Sequence, residues 1–124
     1  MGLSSRMGEL ERAVMEQLWS SGDWVTVRAV HEALSEERDV AYTTVMTVLD
    51  RLAKKELVKQ RREGRAYLYQ AADSRSAMTA DLMREALVEF AEGERRTALM
   101  AFVGDSTAEE RAALREALAE LEGR

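Results

Sequence analysis

The sequence predicts a mainly α-helical fold with a small β wing, and two segments carry most of that prediction. Residues 41–58, AYTTVMTVLDRLAKKELV, have the apolar spacing of an amphipathic helix. Residues 59–70, KQRREGRAYLYQ, have the pattern of a β-hairpin with basic residues around its turn. A helix with a short, hydroxylated outer face joined to a cationic hairpin is typical of a winged helix-turn-helix. We expect that domain over residues 1–73, followed by a region of three helices over residues 74–124.

The composition of the 124 residues fits a soluble, helix-rich chain, with 46% hydrophobic and 33% charged residues. No apolar run approaches the roughly 18 residues needed to cross a bilayer, and no signal-peptide pattern opens the chain. The absence of cysteine excludes disulfides and thiolate metal sites, and it fits a reducing compartment. We therefore expect a cytoplasmic protein.

The distribution of charge is more informative than the net charge of −5. Residues 41–70 carry seven bases and three acids, a local charge of +4, whereas residues 8–40 and 74–124 carry −5 and −4. A positive field concentrated on the predicted helix and wing favours contact with nucleic acid. A solvated helix end and hairpin would have the same charges, so charge alone leaves both interpretations open.

The first two helices are predicted from apolar stripes with a spacing of three to four residues. The first stripe covers residues 8–20 and ends at a Ser-Ser-Gly-Asp segment. Residues 24–25 can form a short strand before Thr26, whose hydroxyl is suited to cap the second helix. That helix covers residues 27–34, and the polar residues 35–39 supply the turn before the third helix.

The third helix is predicted from about residue 43 to about residue 55, with two faces of different chemistry. The stripe that should face the core consists of Val45, Val48, Leu49 and Leu52. The outer face and its flanks consist of Thr43, Met46, Thr47, Asp50, Arg51 and Lys54. This outer face is the one that would enter a major groove.

The wing is predicted to begin at Leu57 and to turn at Glu63 and Gly64. Tyr67 and Tyr69 alternate on the return strand. We expect both tyrosines to pack the wing onto the core.

The C-terminal region is predicted to form three helices with one apolar stripe each. Ser74 can cap the first helix, Gly93 ends it, and residues 107–110 fit a capping box for the last. The stripes consist of Met78, Leu82, Leu87, Phe90, Leu99, Phe102, Leu114, Leu118 and Leu121. Three such helices cannot form a large independent core in 51 residues, so we expect them to pair with a second copy of the chain. Packing back onto the first domain is the alternative.

Signals of catalysis or cofactor binding are missing from the sequence. His31 is the single histidine and has no cysteine with which to share a metal, so we expect a structural, solvated or partly buried side chain. The seven glycines form no phosphate-binding loop, and paired glutamates lie at helix ends, where solvent and the helix dipole explain them. We expect no enzyme activity and no cofactor.

The chain resembles the BlaI/MecI (penicillinase repressor) family of bacterial transcriptional regulators, most closely its actinobacterial members. The resemblance covers nearly the whole chain from Gly8. The matching segments are GELERAVMEQLW, TVRAVHEAL, AYTTVMTVLDRLAKKELV, REGRAYLY, ALMAFVGD and AEERAALREALAEL. The third of these is the most specific, and the last two match mainly in apolar pattern.

The resemblance implies a homodimeric repressor of double-stranded operator DNA, with TACA and TGTA cores in a dyad. It also implies a membrane-bound sensor metallopeptidase that responds to β-lactams, after which the repressor is cleaved in its dimerisation domain. Carried onto this sequence, cleavage falls between Ala101 and Phe102. Staphylococcal members have Asn before that Phe, where this chain has Ala101.

Two departures from the family pattern bear on structure and function. Many members have Gly or Asn after the Lys-Lys pair, where this chain has Glu56, which would be strained in a left-handed conformation. A copper-responsive branch has a cysteine-rich tail, and a chain without cysteine cannot bind Cu(I) in that way.

The predicted DNA contacts divide into two groups. Base edges would be met by Thr43, Thr44, Met46 and Thr47, through hydroxyl groups and through apolar contact with thymine methyls. The DNA backbone would be contacted by Arg51, Lys54, Arg62 and Arg65, with a further contact from Thr26.

Two other interpretations of the winged helix remain open from the sequence. The outer face of the third helix could bind a partner protein in place of DNA, which the overall acidity allows. The chain could also belong to another winged-helix family, such as PadR-like regulators with helical dimerisation tails.

Overall fold

The fold is described from a computed structural model, which describes residues 8–124. Residues 1–7 of the predicted N-terminal domain lie outside the described residues. In chain order the elements are α1 (Glu9–Ser21), β1 (Val25–Thr26), α2 (Val27–Ser35), α3 (Tyr42–Lys54), β2 (Val58–Glu63), β3 (Ala66–Ala71), α4 (Arg75–Phe90), α5 (Arg95–Gly104) and α6 (Ala108–Glu122). The mainly α-helical winged helix-turn-helix with a small sheet is therefore confirmed.

The chain forms two compact units, one ending at Leu82 and the other covering Met83–Arg124. The division falls within α4, so the first turns of this helix belong to the N-terminal unit. Within residues 8–124, no helix is both long enough and apolar enough to cross a membrane.

The core of the N-terminal unit is built from the predicted stripes of the first three helices. Its buried side chains include Val14 and Leu18 from α1 and Val30 and Leu34 from α2. Thr26 caps α2 as predicted, because its Oγ1 accepts a hydrogen bond of 3.0 Å from the Ala29 amide. Local capping and amphipathic spacing thus set where these helices begin and which face they bury.

The three strands form one antiparallel sheet in the order β1-β3-β2. Two residues, Gly64 and Arg65, form the hairpin turn, because Glu63 pairs with Ala66. The turn thus lies one residue later than predicted. Gly64 has a φ of 63°, which is required at the first central position of a type II′ turn and is readily adopted only by glycine.

The two tyrosines of β3 differ in their surroundings. Tyr69 is 2% exposed and its hydroxyl accepts a hydrogen bond of 2.8 Å from Gln60 Nε2. Tyr67 is 43% exposed near the tip of the hairpin, so the prediction that it packs onto the core is wrong. The Tyr67 ring lies beside Arg62 at the tip and is not part of the buried core of the described residues.

The start of α4 is attached to the N-terminal unit. Trp19 Nε1 of α1 donates a hydrogen bond of 3.0 Å to the carbonyl oxygen of Asp73, and Met78 is buried in the same core as α1 and α3. Leu82 packs against that core. Met78 and Leu82 were both predicted to face a second chain. The burial of Met78 and the packing of Leu82 correct that prediction, because the first turns of α4 pack against the N-terminal core.

The C-terminal unit consists of the rest of α4 with α5 and α6. The capping box of α6 is present as predicted, since Thr107 Oγ1 accepts from the Glu110 amide and Glu110 Oε1 accepts from the Thr107 amide. Most large apolar side chains of this unit are exposed: Met83, Val88, Phe90, Leu99, Met100, Phe102, Val103, Leu118 and Leu121. The helices are locally well formed but leave their apolar faces uncovered within the unit.

Candidate nucleic-acid interface

The helix α3 presents the two faces predicted for it. Val45, Leu49 and Leu52 are completely buried, and Val48 nearly so. Every residue predicted to face DNA on this helix is exposed: Thr43, Thr44, Met46, Thr47, Arg51 and Lys54. Because four apolar anchors hold the inner face, the outer face is presented in a defined orientation.

The hydroxyl groups of this face differ in what they can offer. Thr47 Oγ1 donates a hydrogen bond of 2.9 Å to the Thr43 carbonyl oxygen, so its proton is already used within the helix. Its oxygen can still accept, and its methyl can still pack against a base. A groove of about 470 Å³ runs from the start of α1 along Thr43, Thr44 and Arg51.

His31 holds the turn that precedes α3. Its Nε2 donates a hydrogen bond of 2.8 Å to the Val40 carbonyl oxygen, and its ring meets the Tyr42 ring edge to face, with centroids 5.7 Å apart. The half-buried imidazole thus joins α2 to the first residue of α3. His31 therefore has a structural role, as predicted. Its contact with Val40 could not be predicted from residue spacing, because Val40 lies in an irregular turn.

A buried carboxylate joins α1 to the end of α3. Glu11 accepts hydrogen bonds from Lys55 Nζ at 2.9 Å and from the Gly8 amide at 3.2 Å. Burial raises the pKa of the Glu11 carboxyl, but these hydrogen bonds and the charges of Lys55 and Arg51 outweigh it, so its pKa is lowered. No local sequence pattern predicts this pair, since its two residues are 44 positions apart.

The end of α3 is closed by a Schellman motif that contains a strained residue. The Leu57 amide donates to the Leu52 carbonyl and the Glu56 amide to the Ala53 carbonyl, both at 3.0 Å. Glu56 has a φ of 64° and is the single non-glycine residue between 8 and 124 with a positive φ. The left-handed backbone expected at this position is therefore present, with glutamate in place of glycine or asparagine.

The arginines of the wing have different surroundings. The Arg61 guanidinium lies over the Trp24 ring at 4.5 Å and 3.4 Å from the Glu63 carboxylate. Arg62 Nε donates to the Gly64 carbonyl oxygen at 3.1 Å. Arg65 is exposed in the turn itself. The predicted phosphate ligands Arg62 and Arg65 are thus both at the tip, whereas Arg61 lies over Trp24, the residue before β1.

The aromatic residues in contact with the wing arginines were not predicted from the sequence. The Arg61 guanidinium lies over the Trp24 ring. The Arg62 guanidinium lies 5.8 Å from the centroid of the Tyr67 ring. The pairing Arg62↔Tyr67 in the hairpin register was the available signal for the second contact. Thr26 is exposed next to Trp24, with its oxygen engaged in the α2 cap and its proton available.

The predicted cleavage bond lies inside a helix. Ala101 and Phe102 are both exposed in α5, and the Ala101 carbonyl oxygen accepts from the Asp105 amide at 3.2 Å. A peptidase that binds an extended substrate would need this turn of α5 to unwind. Of the residues that the structure describes, no three histidine, aspartate or glutamate side chains are grouped to hold a metal ion.

Comparison with known proteins agrees with this architecture. The family model of the penicillinase repressor matches residues 7–120. The transcriptional regulator BlaI of Mycobacterium tuberculosis is 54% identical over 123 residues, which cover 98% of this chain and 89% of that protein.

Solved structures share the fold at low sequence identity. The structure of hsRosR-S4 has a TM-score of 0.53 and 21% identity, over 90% of this chain and 96% of that one. A MarR family protein from Bacillus stearothermophilus has a TM-score of 0.51 and 14% identity, over 98% and 78%. At these identities the likeness concerns the fold alone.

Proposed function

This chain belongs to the penicillinase repressor family of transcriptional regulators, and we propose that it is a dimeric repressor that binds a palindromic operator through α3 and the wing. Family membership confirms a DNA-binding regulator and not an enzyme. The observation that carries the finer proposal is the exposed outer face of α3 over four buried apolar residues, in the same compact unit as the basic tip of the wing.

In this proposal the outer face of α3 meets base edges in the major groove. Thr43, Thr44 and Thr47 supply acceptor oxygens and methyl groups, and Met46 packs against thymine methyls. Such neutral contacts discriminate modestly, so half-site spacing and DNA shape supply part of the specificity. The phosphates are neutralised by Arg51, Lys54, Arg62 and Arg65, and the Thr26 hydroxyl can donate to a further one.

The exposed apolar side chains of the C-terminal unit support dimerisation. Phe90, Phe102, Leu118 and Leu121 are each at least half exposed, and a solvated apolar surface of this kind marks an interaction site. Two half-site contacts joined in one dimer raise affinity through effective concentration. The dimer interface would therefore control operator occupancy.

Derepression by proteolysis is part of the same proposal. A cut between Ala101 and Phe102 would separate α6 from the rest of the chain and weaken the dimer. Within a single chain no side chain of α5 is buried, so the unwinding that a peptidase requires would break only the contacts that the second chain makes with this helix. The signal would be β-lactam or cell-wall stress sensed by a membrane metallopeptidase, with the repressor acting in the cytoplasm.

The test is to bind the purified protein to sheared genomic DNA and to sequence the recovered fragments. We expect a dyad motif with fixed half-site spacing. Recovery without a motif would contradict an operator-specific repressor, and no recovery at low salt would favour a protein-binding winged helix.

The salt dependence of binding tests the basic face. With about three to four phosphates per protomer, the slope of log K against log salt should be about −5 to −7 for a dimer. Arg65→Ala should make the slope less steep by about 2 per dimer, because one phosphate contact is lost in each protomer. Arg61→Ala is the matched control, since that guanidinium is held against Trp24. Equal changes in slope for the two variants would refute the assignment of the wing tip.

A further inference from the structure

One residue of the outer face has chemistry opposite to that of its neighbours. Asp50 is the single acid of α3, and it lies between Thr47 and Lys54 on the exposed side of the helix. Its side chain is 53% exposed, whereas the adjacent Leu49 is completely buried. Within the proposed function, this carboxylate would therefore face the major groove.

A carboxylate in that position is selective because it can only accept hydrogen bonds. Among base edges in the major groove, cytosine N4 and adenine N6 donate, while guanine O6, guanine N7 and thymine O4 accept and would repel it. On adenine the N7 acceptor is next to the amino group, so an amide fits that base better than a carboxylate does. Cytosine is the base whose own edge presents only a donor.

Lys54 makes this approach feasible. Its Nζ lies 3.3 Å from Asp50 Oδ2, one helical turn away. This positive charge would reduce the repulsion between the Asp50 carboxylate and the DNA phosphates. Both side chains are well exposed, and such a pair contributes little to stability. The pair therefore contributes little to the fold, and both side chains remain available for contact with DNA.

We propose that Asp50 determines specificity by accepting a hydrogen bond from cytosine N4 at one position of each operator half-site, with Lys54 offsetting the charge. Where no amino group faces it, the carboxylate lies among acceptors and phosphates, so it also weakens binding to unrelated DNA. The inference rests on the proposed function, and it assigns a base to a residue of the same interface.

The experiment is selection of binding sites from random duplex DNA by the full-length protein and its variants. For Asp50→Ala we expect the cytosine position to become degenerate, with about tenfold weaker binding to the wild-type motif. For Asp50→Asn we expect the preference to move from cytosine to adenine, which an amide contacts through N6 and N7. Glu56→Gln is the matched control, because it removes an acid from the same basic segment without changing the outer face.

The control separates charge from recognition. All three variants should bind unrelated DNA more tightly than wild type, whereas only the Asp50 variants should lose the cytosine preference. Unchanged far-UV circular dichroism and urea midpoints are expected for both Asp50 variants, since the Asp50 side chain is exposed. The same cytosine in the motifs of both Asp50 variants would overturn this inference alone. Failure of the wild-type protein to select any motif would overturn the proposed function itself.

Discussion

The two units of this chain differ in whether their apolar side chains are buried. In the N-terminal unit the helical stripes meet one another, and residues such as Leu18, Leu34 and Leu49 are almost completely buried. In the C-terminal unit the stripes remain exposed, and Leu118 and Leu121 are 57% and 58% accessible. A periodic apolar pattern thus predicts a helix in both units, but it does not say whether the chain itself covers the apolar face. Two predictions test this difference in burial between the units, and two more test contacts within the N-terminal unit; they are given from the largest expected effect to the smallest.

The largest effect on stability should come from the buried stripe of α3. Leu49→Ala should lower the free energy of unfolding by about 2–5 kcal/mol, because it removes a buried side chain and leaves a cavity. The matched variant Leu121→Ala should have an effect that depends on protein concentration, since its contacts would come from a second chain. Urea unfolding at two protein concentrations measures both. If both variants lost the same unfolding free energy at both protein concentrations, the distinction between the two units would be wrong.

The second effect concerns assembly. Leu118→Asp should place a charge in the interface between two chains and lower operator affinity by more than about a hundredfold, because one winged helix loses its linked partner. Ala112→Asp, which adds the same charge on the opposite face of α6, is the control. Sedimentation equilibrium and operator titration provide the measurements. Tight binding by a Leu118→Asp protein would refute the dimer proposal.

The third effect tests the polar link between α1 and α3. Because the folded-state pKa of Glu11 is lowered from its usual value of 4.5, the link stabilises the fold above that pH. This contribution should be lost as the pH falls below about 4.5 through the lower, folded-state pKa. Glu11→Gln should destabilise the protein by about 1 kcal/mol at neutral pH, by leaving Lys55 unpaired.

The pH dependence provides the check on that assignment. We expect the difference in unfolding free energy between wild type and Glu11→Gln to shrink as the pH falls from 6 to about 3. A difference that stays constant over this range would show that the carboxylate charge is not what stabilises the contact.

The smallest effect should come from the strained end of α3. Glu56→Gly should raise the free energy of unfolding by about 0.5–1 kcal/mol, because glycine adopts the observed positive φ without a Cβ clash. Glu56→Ala keeps the Cβ and should bring no such gain. Thermal unfolding of the two variants side by side measures the difference. A matching gain in Glu56→Ala would show that charge, and not backbone strain, limits stability there.

The contacts of the wing show where prediction from sequence stopped. Alternation on β3 assigned Tyr67 and Tyr69 to the same face, and that is correct for the hairpin. Alternation could not show that Tyr69 is buried in the core whereas Tyr67 is left exposed. The predicted DNA ligands on α3 are all exposed, but Trp24 beneath Arg61 was not foreseen, because β1 and β2 are both neighbours of β3 and the sequence does not state this order.

The sequence by itself determined the helices and strands, the buried faces of α1, α2 and α3, and the caps at Thr26, Ser74 and Thr107. These features depend on residues within about four positions, where helical and strand geometry bring side chains together regardless of the rest of the fold. The tertiary structure alone decided the pairing of Glu11 with Lys55 and the burial of Met78 in the N-terminal core. Such contacts depend on how whole elements pack against one another, and no local spacing encodes that distance.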